Sequence, residues 1–109
     1  MSRESILVDI NQERLRQDEK WGLQNHIPIE WIAILGEEFG EASKEALEMH
    51  FHPNKDFGKR LMDYRKELVQ VAAVAVAMIE CVDRNTWMHD LFHRIQKYHE
   101  SEVTNDKDR

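Results

Sequence analysis

Apolar residues recur along this chain at spacings of three and four, the period of an α-helix. The clearest run is Ile32, Leu35, Phe39, Ala42, Ala46 and Met49, a seam of the kind that packs against other helices. Pro28 suits the first turn of such a helix, where its missing N–H would be unpaired anyway, so the second helix is predicted from about Pro28 to Met49. A first helix is predicted from about Glu4 to Lys20 on a thin stripe of Ile6, Ile10 and Leu15, ended by Gly22. His50-Phe51-His52-Pro53-Asn54, with Gly58 close behind, interrupts the periodicity and is read as a loop. The third helix is predicted from about Lys59 to Arg84. It is amphipathic through Leu61, Tyr64 and Leu68 and then apolar on every face from Val71 to Ile79, so it must be central or lie at a subunit interface. Asn85 and Thr86 separate it from a fourth helix marked by Trp87, Leu91, Phe92, Ile95 and Tyr98. Residues 1–3 and 101–109 are polar ends expected to fray.

At 109 residues the chain is one domain's worth of sequence, read as a single all-α domain over 1–109, a bundle of four helices. The third helix carries more apolar surface than so short a chain can cover, which predicts a homodimer or homotetramer. Fifteen Lys and Arg against 21 Asp and Glu give a net charge of −6, opposite in sign to a nucleic-acid polymer binder. The nine-residue run from Val71 to Ile79 falls short of the ~20 residues of a membrane span, and no basic, apolar leader opens the chain. A cytoplasmic, membrane-free protein is expected. The one cysteine, Cys81, lies in an apolar stretch and is read as a buried structural thiol.

The chemistry concentrates in Glu37-Glu38-Phe39-Gly40-Glu41 and, after 25 intervening residues, Glu67-Leu68-Val69-Gln70. Side chains three apart on a helix point the same way, so Glu38 with Glu41, and Glu67 with Gln70, form two pairs that adjacent helices would bring into one oxygen-rich pocket. Glu38 borders the apolar seam, and the face carrying Glu67 and Gln70 runs on into Val74 and Met78. Carboxylates crowded at the edge of an apolar core repel one another and lose hydration, so a cation is expected among them. Hard oxygens without Cys or His select Mg²⁺, Mn²⁺ or Ca²⁺ over zinc, and Mg²⁺, for which Mn²⁺ can substitute, commonly shares its coordination sphere with substrate phosphates. The plainer account of such residues is a solvated, Glu-rich helix face. It suits Glu37, Glu45 and Glu48 better than it suits Glu38, Glu41 and Glu67.

These residues resemble the signature of the MazG-like all-α nucleoside triphosphate pyrophosphohydrolases, which are related to the dimeric dUTPases. The likeness extends to Lys20-Trp21-Gly22, His26, Trp31 before Ile34-Leu35-Gly36, and Tyr64 to Ala73, and spans about Gln12 to Arg84. It implies a Mg²⁺-dependent enzyme that splits a nucleoside triphosphate between its α and β phosphates, giving a monophosphate and pyrophosphate. Carried over by position, Glu38, Glu41 and Glu67 become metal ligands and Glu37 a water-orienting carboxylate; Glu37 or Glu41 takes the proton of the attacking water. Gln70 stands where the family has Asp; its amide oxygen can still reach a metal but brings no charge. The alternative is a catalytically weakened or inactive helical assembly module. Lys44 and Arg60 are placed to meet phosphates, although a surface cation is commonly no more than that. Trp21 and Trp31 are candidates to stack on a base, and His26 and Asn25 to read its edge, against core packing and an ordinary polar loop.

His89 and His93 sit four apart on the fourth helix, a spacing compatible with metal storage or sensing, but no third ligand is in register. His50 and His52 likewise have no evident partner. No Glu here is followed three residues later by His, which separates the chain from the ferritin-like di-iron bundles.

Overall fold

The computed structural model describes residues 2–53 and 56–107. Of the predicted loop and ends, Met1, Asn54, Asp108 and Arg109 lie outside the described residues. Four helices follow one another: α1 (Arg3–Trp21), α2 (Pro28–Phe51), α3 (Phe57–Arg84) and α4 (Thr86–Lys107). The fold is all-α.

Local chemistry explains most boundaries. Ser2 caps α1, its Oγ accepting the Ser5 N–H at 3.2 Å. Gly22, at φ 70°, adopts a backbone conformation that side-chain-bearing residues rarely take, and its N–H closes α1 on the Asp18 carbonyl. Glu30 supplies half of a capping box for α2, its carboxylate accepting the Ile27 N–H at 3.1 Å. Two boundaries differ from the periodicity. His50 and Phe51 belong to α2, which stops only where Pro53 forces His52 out of helical geometry (φ −131°, ψ 57°). α4 extends in helical geometry through the polar residues 101–107: no Gly or Pro follows Gly58, and a nucleated helix propagates through polar residues unless something breaks it.

α1 and α2 both pack on α3 and not on each other. Arg65 pairs with Asp9 and Arg14 with Glu80, so α1 runs parallel to α3. Arg60 pairs with Glu48 at one end of α2, while Cys81 contacts His26 just before the other end, so α2 is antiparallel to α3. Arg84 and Asn85 at the foot of α3 donate to the Asn25 side-chain oxygen at 3.1 and 2.8 Å, and Arg84 also donates to the Gln24 carbonyl, which clamps the α1–α2 linker beside the start of α4. Cys81 is fully buried within this clamp, as expected of a structural thiol.

The inward face of α1 departs from the predicted stripe. Ile6 and Leu15 are exposed, while Arg14 is buried and Asp9, Ile10, Glu13 and Gln17 are half-buried. Arg14 donates to Glu80 at 3.0 Å, Gln17 at 3.0 Å and Asp18 at 2.9 Å, and the bonds to Glu80 and Asp18 raise the pKa of its guanidinium above the ordinary value against the opposing effect of burial. Helix α1 is therefore fixed largely by charge-assisted hydrogen bonds, a contact that hydrophobic periodicity does not register. Arg14→Ala is expected to cost about 2 kcal/mol, with hydrogen-exchange protection lost in α1 before α2 and α3.

The core is small: Trp31, Val74, Ala77, Cys81 and Met88, flanked by Ile34, Leu35 and Met78. Met88 is the anchor of α4. Every residue from 89 to 102 is exposed, so the fourth helix projects from the other three instead of completing a bundle with them. The radius of gyration, 19.4 Å, exceeds the ~13 Å of a compact chain of this length. Among the described residues, no helix is long and apolar enough to cross a membrane.

Candidate functional site

Because α1 and α2 flank α3 without meeting, they leave a groove of about 810 Å³ with α3 as its floor. Val69, Gln70, Val74 and Ala77 form part of that floor, Glu38, Ile34 and Trp31 the α2 wall, and Glu13, Arg16, Gln17, Lys20 and Trp21 the α1 wall. The apolar end lies at Trp31 and Ala77, next to the core, and the charged end at Glu38, Glu13 and Lys66.

Glu38 is half-buried at the charged end. Loss of hydration, and then the charges of Glu67, Glu41, Glu13 and Glu37, hold its carboxyl above the ordinary value. Glu67 is raised in the same way, by burial first and then by Glu41, Glu45 and Asp63, with Lys66 opposing. Two helices thus bring together the acids that the spacing singled out, and α1 adds Glu13. Its side chain is 15% exposed and accepts two bonds from Arg16. Sequence reasoning missed Glu13 because α1 was phased on Ile6 and Leu15; phased on Arg14 and Gln17, it would have placed Glu13 inward.

None of the ion pairs among the described residues involves Glu37, Glu38, Glu41 or Glu67. Nor do three or more His, Cys, Asp or Glu side chains among them stand close enough together to hold a metal ion in their present positions. The donors here are hard carboxylate and amide oxygens, and the acids are gathered without being closed around a single point. Of the acids and the amide predicted for the site on these two helices, Glu38 and Gln70 line the groove, whereas Glu37, Glu41 and Glu67 are not among its lining residues.

The other predicted residues divide. Trp21 lines the groove, 55% exposed, with the Lys20 ammonium 4.7 Å from its ring centre. Trp31 also lines it but is 4% exposed, a core residue first. His26 lies outside the groove; its ring meets Trp31 edge-on at 4.8 Å, and both His26 Nε2 and Trp31 Nε1 are buried without a protein partner. Lys44 is exposed away from the groove, and Arg60 is engaged by Glu48 at 3.5 Å. The groove takes its cations instead from Arg16, Lys20, Arg65 and Lys66, of which Arg65 pairs with Asp9 and Arg16 with Glu13. Their spacing on α1 and α3 becomes meaningful only once those helices are known to run parallel. His89 and His93 lie on the exposed part of α4.

Compared with family models, curated proteins and solved structures, the chain matches none.

Proposed function

We propose that the protein is a Mg²⁺-dependent nucleotide pyrophosphohydrolase and that the groove between α1 and α2 is its active site. The observation that carries this is the juxtaposition, in one groove, of a carboxyl held above its ordinary value at Glu38, electrostatically coupled to Glu67 and Glu41 outside the groove lining, with basic side chains at Lys20, Arg16 and Lys66 and an exposed indole at Trp21. Few ligands other than a nucleoside polyphosphate with its divalent cation call for all three together. The sequence resemblance described above supports the same class.

In this proposal Glu38, Glu41 and Glu67 would hold the cation, with Gln70 as a neutral oxygen donor. When bound, Mg²⁺ neutralises phosphate oxygens and acidifies a coordinated water. The chain's own groups do the remainder. Lys20 and Lys66 attract the triphosphate into the groove, Trp21 offers a flat face to the base, and the apolar floor at Val69 and Val74 limits water around the scissile anhydride. Glu41, the most exposed of the three acids, accepts the proton of the attacking water, with Glu37 next to it on the same helix.

The direct test is pyrophosphate release from a panel of nucleoside and deoxynucleoside triphosphates, with and without Mg²⁺. Turnover that needs the metal supports the proposal. Absence of turnover on every nucleotide favours the second reading, a helical module without catalysis, to which the uncharged Gln70 lends itself. Gln70→Asp separates the two further. The added charge is expected to tighten Mg²⁺ binding about tenfold, roughly 1.4 kcal/mol, while lowering metal-free stability, because one more acid joins acids already repelling one another. Calorimetric titration and thermal melting measure the two effects, and an unchanged affinity would remove Gln70 from the site.

A further inference from the structure

Helix α1 presents Glu13, Gln17 and Trp21 to the groove at intervals of four residues, so they follow one another along one face. Gln17 differs from the others in having half of its side chain already committed. Its Oε1 accepts a hydrogen bond from Arg14 Nη1 at 3.0 Å. A guanidinium has donors and no acceptor, so the amide atom facing it must be the oxygen. Arg14 is itself immobilised, being buried with its Nε on Glu80 at 3.0 Å and its Nη2 on Asp18 at 2.9 Å. The Gln17 amide nitrogen makes no hydrogen bond to the described residues. It is left as a donor in the half-buried wall of the groove.

The rest of this end of the groove has the same bias. Trp31 lines it, and its indole N–H, buried without a protein partner, is again a donor with no capacity to accept. The acids lining the groove, Asp9, Glu13, Glu38 and Asp63, belong to the charged end. Gln24 lines the apolar end, but its side chain makes no hydrogen bond among the described residues, so it can turn either amide atom to a ligand and does not discriminate.

A base edge suited to this wall must accept. Gln ordinarily reads adenine with both halves of its amide, the oxygen taking a proton of the N6 amino group and the nitrogen giving one to N7. With its oxygen held by Arg14, Gln17 has only the second half to offer, and a donor set against an amino group is repelled. Guanine instead presents O6 and N7 side by side, both acceptors, and is read by donors. Uracil offers one acceptor at the corresponding place, O4, and cytosine an amino group.

We infer that the groove selects guanine nucleotides, with the base on the exposed Trp21 ring and the Gln17 amide nitrogen donating to its O6 and N7; this rests on the pyrophosphohydrolase reading above. Gln17 sets the specificity, and Arg14 is a positioning residue that acts through it.

Calorimetric titration of the full chain with the α,β-methylene analogues of GTP, ATP, UTP and CTP in the presence of Mg²⁺ tests this, since these analogues resist cleavage between the α and β phosphates and report binding alone. The GTP analogue is expected to bind about tenfold more tightly than each of the others. Gln17→Glu keeps an oxygen for Arg14, and with it the fold, but replaces the donor by an acceptor. The ATP analogue should then bind more tightly than the GTP analogue, with helical content and melting temperature close to wild type. Arg14→Lys retains the charge but lets the Gln17 amide turn, so the preference should narrow to less than about threefold. Gln24→Leu should leave the preference intact. Equal binding of the GTP and ATP analogues by the wild type overturns the inference and leaves the pyrophosphohydrolase reading standing. So does a guanine preference that survives Gln17→Glu or Arg14→Lys, or one that disappears only in Gln24→Leu. Failure of all four analogues to bind, with or without Mg²⁺, overturns both.

Discussion

Glu38→Gln is expected to lower kcat/KM for pyrophosphate release at least about a hundredfold, roughly 2.7 kcal/mol of transition-state stabilisation, and yet to make the metal-free protein more stable at neutral pH. The two effects have one cause. Glu38 is raised by its own burial and by Glu67, Glu41, Glu13 and Glu37, so ionising it in the folded chain works against neighbours that the unfolded chain keeps apart. A neutral amide removes that repulsion and, with it, a charge that holds the cation.

The pH dependence follows in sign. Glu38 and Glu67 are raised in the folded state, so folded chains retain protons that unfolded chains release, and their contribution is most favourable below the ordinary glutamate value of about 4.3. It declines as pH rises through the higher folded values. Metal-free protein is therefore expected to lose stability, as far as these groups govern it, between mildly acidic and neutral pH. Mg²⁺ opposes the loss: at a hundred times its dissociation constant, binding to the folded state alone adds about 2.7 kcal/mol. The rise in melting temperature on adding Mg²⁺ should be largest near pH 7, shrink toward pH 5 and vanish in Glu38→Gln. A shift that is independent of pH, or that persists in the variant, would place the cation elsewhere.

Trp31→Ala is expected to cost 3–5 kcal/mol, the usual penalty for deleting a buried indole, out of the ~5–15 kcal/mol that holds a typical domain together. Trp31 is 4% exposed and belongs to a core of five buried side chains that includes Met88, the anchor of α4. Its loss should therefore release α4 as well as loosen α2 from α3, visible as a lower urea midpoint and faster exchange at the start of α4. Trp31→Phe should fall within about 1–2 kcal/mol, because the smaller ring also removes an indole N–H that is buried without a protein partner. Trp21 gives the opposite result. More than half exposed, Trp21→Ala should leave stability within about 0.5 kcal/mol and raise KM for nucleotide, since stacking on a base is worth about 1–3 kcal/mol. If Trp21→Ala changes neither quantity, the groove does not receive the base there.

The paired tryptophans show where reading the chain in one dimension runs out. Both are aromatic residues near a helix end, and spacing alone leaves each open to core packing or ligand contact. Trp31 falls on the side of α2 that meets α3, and Trp21 is the last residue of α1, beyond the helix–helix contact. Lys44 and Arg60 teach the same lesson about charge. They stand at helical distances from the acids, but Lys44 lies across α2 from the groove and Arg60 is met by Glu48 from the neighbouring helix. The cations that line the groove come from α1 and from residues 65 and 66, whose relevance depends on which way α1 runs.

What the chain by itself determined was local: four helices from a period of three to four, a central third helix from its all-round apolarity, a buried cysteine, and the gathering of Glu38, Glu41 and Glu67 from their spacing on two helices joined by a short turn. Each of these depends on residues close in sequence or on one helix's own symmetry. Tertiary structure alone decided that α1 seats through Arg14 and Asp9 rather than through Ile6 and Leu15, that Glu13 joins the acids, that α4 stands away from the other helices, and that a groove opens where α1 and α2 fail to meet. Those features arise from charge pairing between residues 56 and 66 positions apart and from apolar surface that one short chain cannot cover, neither of which leaves a periodic trace.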